Sequence, residues 1–118
     1  MHDPRLLDHF GNPRNVGEIV GADASVTVEN PACGDVMLLT MKVVDGSITA
    51  ARFRTKGCVA SIACGSKLTE MIVGRDLGEV RKITRQELVE SLGGLTPETT
   101  HASHLAFDAL TAALKQLK

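Results

Sequence analysis

The spacing of apolar positions along the chain runs from helical to alternating and back to helical, and these changes predict its elements. Residues 3 to 10, DPRLLDHF, open with Asp before Pro, the arrangement of an N-cap and a first helical position, and GNPRNVG then breaks the pattern. A short helix followed by an irregular loop is predicted. SVTVE at 25–29 alternates with β-branched residues, and DVMLLTMKVV at 35–44 is strand-like throughout, with Met37, Leu39, Met41 and Val43 sharing one face. Asp45-Gly46 supplies a hairpin turn. The return strand SITAARFRT sets Ala51 and Phe53 against Arg52 and Arg54, the pattern of a sheet covered on one side.

From Val59 the alternation stops. VASIACGSKLTEMIVG reads as a helix that tolerates Gly65 and ends at Gly74. Thr84-Arg85-Gln86-Glu87 matches a capping box, in which the Thr hydroxyl and the Glu carboxylate each satisfy a free backbone N–H, and Gly93-Gly94 closes that helix. From about Thr99 to Leu117, residues Ala102, Ala106, Leu110, Ala113, Leu114 and Leu117 form one stripe at helical spacing. Strands first and helices afterwards predict an α+β fold, a three-stranded antiparallel sheet covered on one face by helices. The chain shows no internal repeat, low-complexity run or linker.

Composition narrows the function. At 118 residues and 43% hydrophobic, the chain suits one core, so a single domain over 1–118 is expected. A net charge of −1 and three Phe with no Trp or Tyr provide neither a basic phosphate-binding surface nor a base-stacking platform, which argues against nucleic acid. MHDPRLLDHFGNPRN carries charges and prolines where a signal peptide needs an apolar run, and no later segment approaches a membrane span; a cytoplasmic protein is expected. Three cysteines, an odd number, argue against a disulfide framework and for reduced thiols used in metal or sulfur chemistry.

Two of those thiols fall at element ends, where function usually resides. In NPACGDV, Cys33 precedes Gly34 and Asp35 at the entry to a strand, where glycine permits a turn that exposes thiol and carboxylate on one rim. Cys58 follows Gly57 at a strand–helix junction, and the positive end of a helix dipole favours thiolate there, as metal ligand or sulfur acceptor. Lys56 adds a nearby positive charge. Cys64, six residues into the helix beside Ile62 and Ala63, reads as a core residue.

NPRNVG, PACGDV, FRTKGC, an SIA-containing helix and a His at the start of the final helix, in that order and with compatible separations, resemble the IscU/NifU N-terminal family of iron–sulfur cluster scaffold proteins. The resemblance covers nearly the whole chain. It implies a scaffold, not an enzyme, that receives sulfur from a cysteine desulfurase, accepts iron, builds a [2Fe–2S] cluster at its surface and passes it to acceptor apo-proteins. By the family pattern, Cys33, Asp35, Cys58 and His101 are the metal and cluster ligands, with the aspartate tuning cluster lability. The same set can hold zinc, a borderline metal suited to mixed S, N and O donors. A monomer or weak homo-oligomer is expected.

Two departures from the pattern qualify that reading. The family carries a third ligand cysteine directly after the histidine, and here the pair is His101-Ala102. Cys64 lies roughly 9 Å along the helix axis from Cys58 at about 1.5 Å per residue, which disfavours simple substitution. His104 is a second candidate, although it also sits four residues before Asp108, the spacing of a solvent-facing pair. Members served by a dedicated chaperone carry Leu-Pro-Pro-Val-Lys before the histidine, where this chain has Leu95-Thr96-Pro97-Glu98-Thr99. That segment reads as an ordinary helix start, so chaperone binding is not carried over. LLDHFGNPRNVG is well kept and suits desulfurase or partner docking. Two alternatives stand beside the scaffold: a zinc-binding or persulfide-accepting paralogue that does not complete clusters, and an enzyme, for which no nucleophile–base–acid constellation is visible.

Overall fold

The computed structural model describes residues 3–31, 34–94 and 96–117. Helix α1 spans Pro4–Gly11, started by Asp3, whose carboxylate accepts the Arg5 N–H at 2.8 Å. Strands β1 (Ala24–Glu29), β2 (Val36–Val44) and β3 (Ser47–Lys56) form an antiparallel sheet in the order β1-β2-β3. The β2–β3 turn works because Asp45 and Gly46 both take left-handed backbone, with φ of 52° and 78°, as a two-residue hairpin of native twist requires. Helices α2 (Val59–Ile72), α3 (Leu77–Val80), α4 (Arg85–Ser91) and α5 (Pro97–Gln116) follow.

Alternation decides which sheet face is buried. Met37, Leu39 and Met41 of β2 pair across to Thr55, Phe53 and Ala51 of β3, and Met37, Leu39, Met41, Ala51 and Phe53 point into the core with Val26 of β1. Against that face lie Leu68 and Ile72 of α2 and Leu105, Ala106 and Leu110 of α5, all buried in one continuous cluster. Small residues such as Ala63, Gly65, Ala106 and Ala109 line the contact, which lets the helices lie close to the sheet. Gly65 is the tightest point: a Cβ built there would fall 2.5 Å from Cδ2 of Phe53. The glycine that weakens α2 as an isolated helix therefore seats the core phenylalanine.

The predicted capping box is formed, with Glu87 N–H donating to Thr84 Oγ1 at 3.1 Å and Thr84 N–H to Glu87 Oε1 at 3.2 Å. The final helix begins at Pro97, two residues before the expected start, because Thr96 caps it by accepting the Thr99 N–H at 3.1 Å. Helix α3 was not anticipated: its four residues are too short to show a period, and its sign is the Asp76 cap, which accepts the Glu79 N–H at 2.7 Å.

Both sheet edges are engaged at particular residues. Along β3, Gly17 N–H donates to Phe53 O at 2.8 Å and Phe53 N–H to Asn15 O at 2.9 Å, while Ile48 N–H donates to Arg75 O at 2.9 Å. On β1, the Gln116 side-chain amide imitates a strand, accepting from Ser25 N–H at 3.0 Å and donating to Ser25 O at 3.1 Å. Helices cover one face, as expected. On the other face Thr40 is nonetheless fully buried, and its Oγ1 accepts the Ile19 N–H at 3.0 Å from the α1–β1 connection.

Candidate functional site

Strand β3 ends at Lys56, and Gly57 carries the chain to Cys58, the N-cap of α2, held in extended conformation with φ −80° and ψ 174°. A residue at this position normally caps its helix with its own side chain. The exposed Cys58 thiol makes no such bond. Asp35, at the entrance to β2, bonds the backbone of the cap residue itself: Cys58 N–H donates to Asp35 Oδ2 at 3.3 Å. The hydroxyl of Ser61, one turn into α2 and fully buried, donates to the same oxygen at 2.6 Å and stands 3.5 Å from Cys58 Sγ. Thiol, hydroxyl and carboxylate thus meet at one helix end.

Glycines permit this approach. A Cβ on Gly57 would stand 2.6 Å from both Cγ and Oδ2 of Asp35, so any side chain there would displace the carboxylate. Gly34 adopts φ +75°, and its N–H donates to Asn30 O at 2.7 Å while Asn30 N–H donates to Asp35 O at 2.8 Å. These bonds close the loop that delivers Asp35. Cys33, the other expected ligand in that loop, lies outside the described residues.

The remaining candidates separate clearly. Cys64 is completely buried, and burial, followed by the nearby Cys58, pushes its thiol up to about 12. It packs in the core, as its neighbours implied. His101 lies in the second turn of α5 and is exposed, whereas Ala102 turns inward and is 2% exposed. His104 and Asp108 are both exposed. Among the described residues, no three His, Cys, Asp or Glu side chains converge as a metal-binding group. Asp35 and Cys58 are brought together; His101 is not gathered with them. Ser61 carried no assigned role in the sequence reading, although it belongs to the SIA motif and sits three residues after Cys58. The Thr96 cap and Pro97 at the first position bear out the plain helix start read before His101; Leu95 lies outside the described residues.

The fold and rim define a small α+β protein that sets a thiol and a carboxylate together where a strand passes into a helix. The chain belongs to the NifU-like N-terminal domain family, whose model matches residues 1–118. It is 48% identical over 114 residues to the iron-sulfur cluster assembly scaffold protein IscU 1 of Archaeoglobus fulgidus, covering 97% of this chain and 74% of that protein. It is 43% identical over 121 residues to the iron-sulfur cluster assembly scaffold protein IscU of Escherichia coli K12, covering 99% and 94%. The crystal structure of a nitrogen-fixing NifU-like protein (N-terminal) from Brucella abortus superposes with a TM-score of 0.76 over 98% of this chain and 92% of that one; at 22% identity it supports the fold alone. No helix among the described residues is long and apolar enough to cross a membrane.

Proposed function

We propose that the chain is an iron–sulfur cluster assembly scaffold, which receives iron and sulfur at the rim, holds a nascent [2Fe–2S] cluster as cargo and releases it to acceptor apo-proteins. The observation that carries this reading is the pairing of exposed Cys58 with Asp35 at the start of α2, in a chain of this family. Thiolates are the strong ligands of cluster iron, and a carboxylate oxygen is a harder, weaker partner for it. A mixed set therefore suits cargo that must leave. Cys33, Asp35, Cys58 and His101 are the ligands of this reading, and exposure of Cys58 gives a sulfur donor access to it. The chain contributes binding and orientation; sulfur and electrons come from its partners.

A cysteine desulfurase is the proposed sulfur donor. Leu7, Phe10, Val16 and Val20, all exposed on or just after α1, support docking of a partner along the well-kept N-terminal segment. Residues 1–118 act as one scaffold unit, and reduced thiols fit a cytoplasmic setting. Zinc binding or persulfide acceptance without cluster completion is a second reading, favoured by Ala102, which offers no donor atom beside His101.

Anaerobic reconstitution with iron and sulfide tests the assignment. Wild type is expected to gain visible cluster absorbance, and Cys33→Ser and Cys58→Ser are each expected to lose most bound iron. Full occupancy in both folded variants would place the site elsewhere.

A further inference from the structure

We propose that Ser61 is a positioning residue for the metal-receiving rim: its buried hydroxyl anchors one oxygen of Asp35 beside Cys58, so that an incoming metal ion meets thiolate and carboxylate already side by side. The proposal rests on the reading of that rim as the cargo site, and it concerns a residue that is not itself a ligand.

A serine inside a helix commonly turns its hydroxyl back to a carbonyl one turn earlier. Ser61 instead reaches across to Asp35, at 2.6 Å, a length typical of a hydroxyl bonded to an ionised carboxylate. The single hydroxyl proton is committed to that bond, so Cys58 Sγ, at 3.5 Å, faces the oxygen of Ser61 rather than its proton. Oδ2 also accepts the Cys58 N–H at 3.3 Å, which leaves its two acceptor directions engaged. A metal ion that took Asp35 through Oδ2, or through both oxygens, would first have to displace these donors.

Among the described contacts that hold the carboxylate are the space left by Gly57, the Cys58 N–H and the Ser61 hydroxyl. Only the last can be deleted by a side-chain change that leaves the backbone and both ligands in place. Outer donors of this kind orient ligands, and removing one typically weakens metal affinity by roughly 10- to 100-fold.

The test uses Co²⁺ as the probe, titrated without oxygen into wild type, Ser61→Ala, Ser61→Thr, Asp35→Ala and the double variant Ser61→Ala/Asp35→Ala. Wild type is expected to show sulfur-to-cobalt charge transfer with defined d–d bands. Ser61→Ala should bind Co²⁺ roughly 10- to 100-fold more weakly. Its d–d bands should also change, because the released carboxylate can meet the metal in a different orientation. Ser61→Thr, which keeps the hydroxyl, should recover the wild-type spectrum. The double variant should bind no more weakly than Asp35→Ala alone, since the serine acts through the aspartate. This cycle decides the matter even if the threonine methyl is too large for the buried position. Wild-type affinity and bands in Ser61→Ala, or an equal loss with and without Asp35, overturns the proposal while leaving the rim intact. Absence of sulfur-to-cobalt charge transfer in wild type overturns the rim as a metal site, and the role of Ser61 with it.

Discussion

Cys58 caps α2 and Cys64 lies six residues further along the same helix, yet one faces solvent and the other has no exposed surface. Nucleophilicity follows access and thiolate content together. In the folded protein Cys58 should be alkylated much faster than Cys64, whose burial holds its thiol near 12. Peptide mass analysis after a timed pulse of iodoacetamide checks this, and faster labelling of Cys64 would reverse the assignment. Cys64→Ala should cost about 1 kcal/mol of stability through lost packing and leave metal content unchanged. This contrast was legible in the sequence because it follows from position within an element. Ser61 was not, because its partner Asp35 enters from the loop before β2, and no periodicity within α2 reports a contact with another element.

At the scale of elements, period and capping residues carried most of the information. The hairpin at Asp45-Gly46, the Thr84 capping box and the α2 terminator at Gly74 all stand where their chemistry requires. Gly65 shows what such reading omits. Its helix cost is visible in the sequence, but its purpose depends on Phe53 lying over it. Gly65→Ala gains about 1 kcal/mol of helix propensity and overpacks a closed core, which typically costs about 1–3 kcal/mol. A net loss of stability in urea unfolding is expected; a gain would show that Phe53 can shift at little cost. The α1–α2 contact holds a second constraint. Buried His9 meets Ser66 Oγ through Nδ1 at 2.7 Å, Arg14 N–H donates to the same hydroxyl at 2.9 Å, and Glu70 approaches Nε2 at 3.6 Å. Burial, then the charge of Arg14, lowers the His9 pKa below 6.5; Lys67 acts in the same sense, and Glu70 and Asp8 oppose it. The unfolded chain therefore binds the proton more readily than the folded one. Stability should be complete above pH 6.5, fall as pH drops below it, and stop falling once the lowered folded pKa is passed. Melting temperatures of wild type and His9→Asn between pH 7.5 and 5 check this, with a flatter profile expected for the variant.

For the whole molecule, the question is what the final helix can add to a rim at which two distant regions already meet. The entrance to β2 brings Asp35, the start of α2 brings Cys58, and α5, which packs on α2, carries His101 and Ala102 near its own start. The resemblance read from the sequence implies a third cysteine ligand where this chain has Ala102, whose methyl is nearly buried against the core. The present side chain contributes packing and no donor. Ala102→Cys adds one sulfur to an existing Cβ at a helix-propensity cost of up to about 0.7 kcal/mol, so it tests ligand supply directly. Thiolate holds cluster iron more strongly than imidazole or water, so the variant should retain a reconstituted [2Fe–2S] cluster longer than wild type. In a nearly buried position the thiol gains little from water, so metal binding is what should favour its ionised form. The measurement is the decay of visible absorbance after anaerobic reconstitution, for wild type, Ala102→Cys and Cys64→Ser side by side. A longer lifetime in Ala102→Cys with no change in Cys64→Ser would identify wild type as a scaffold set for rapid release by its missing thiolate. No gain from Ala102→Cys, with loss of the cluster in Cys64→Ser, would instead require α2 to open its core and present Cys64 as the third ligand.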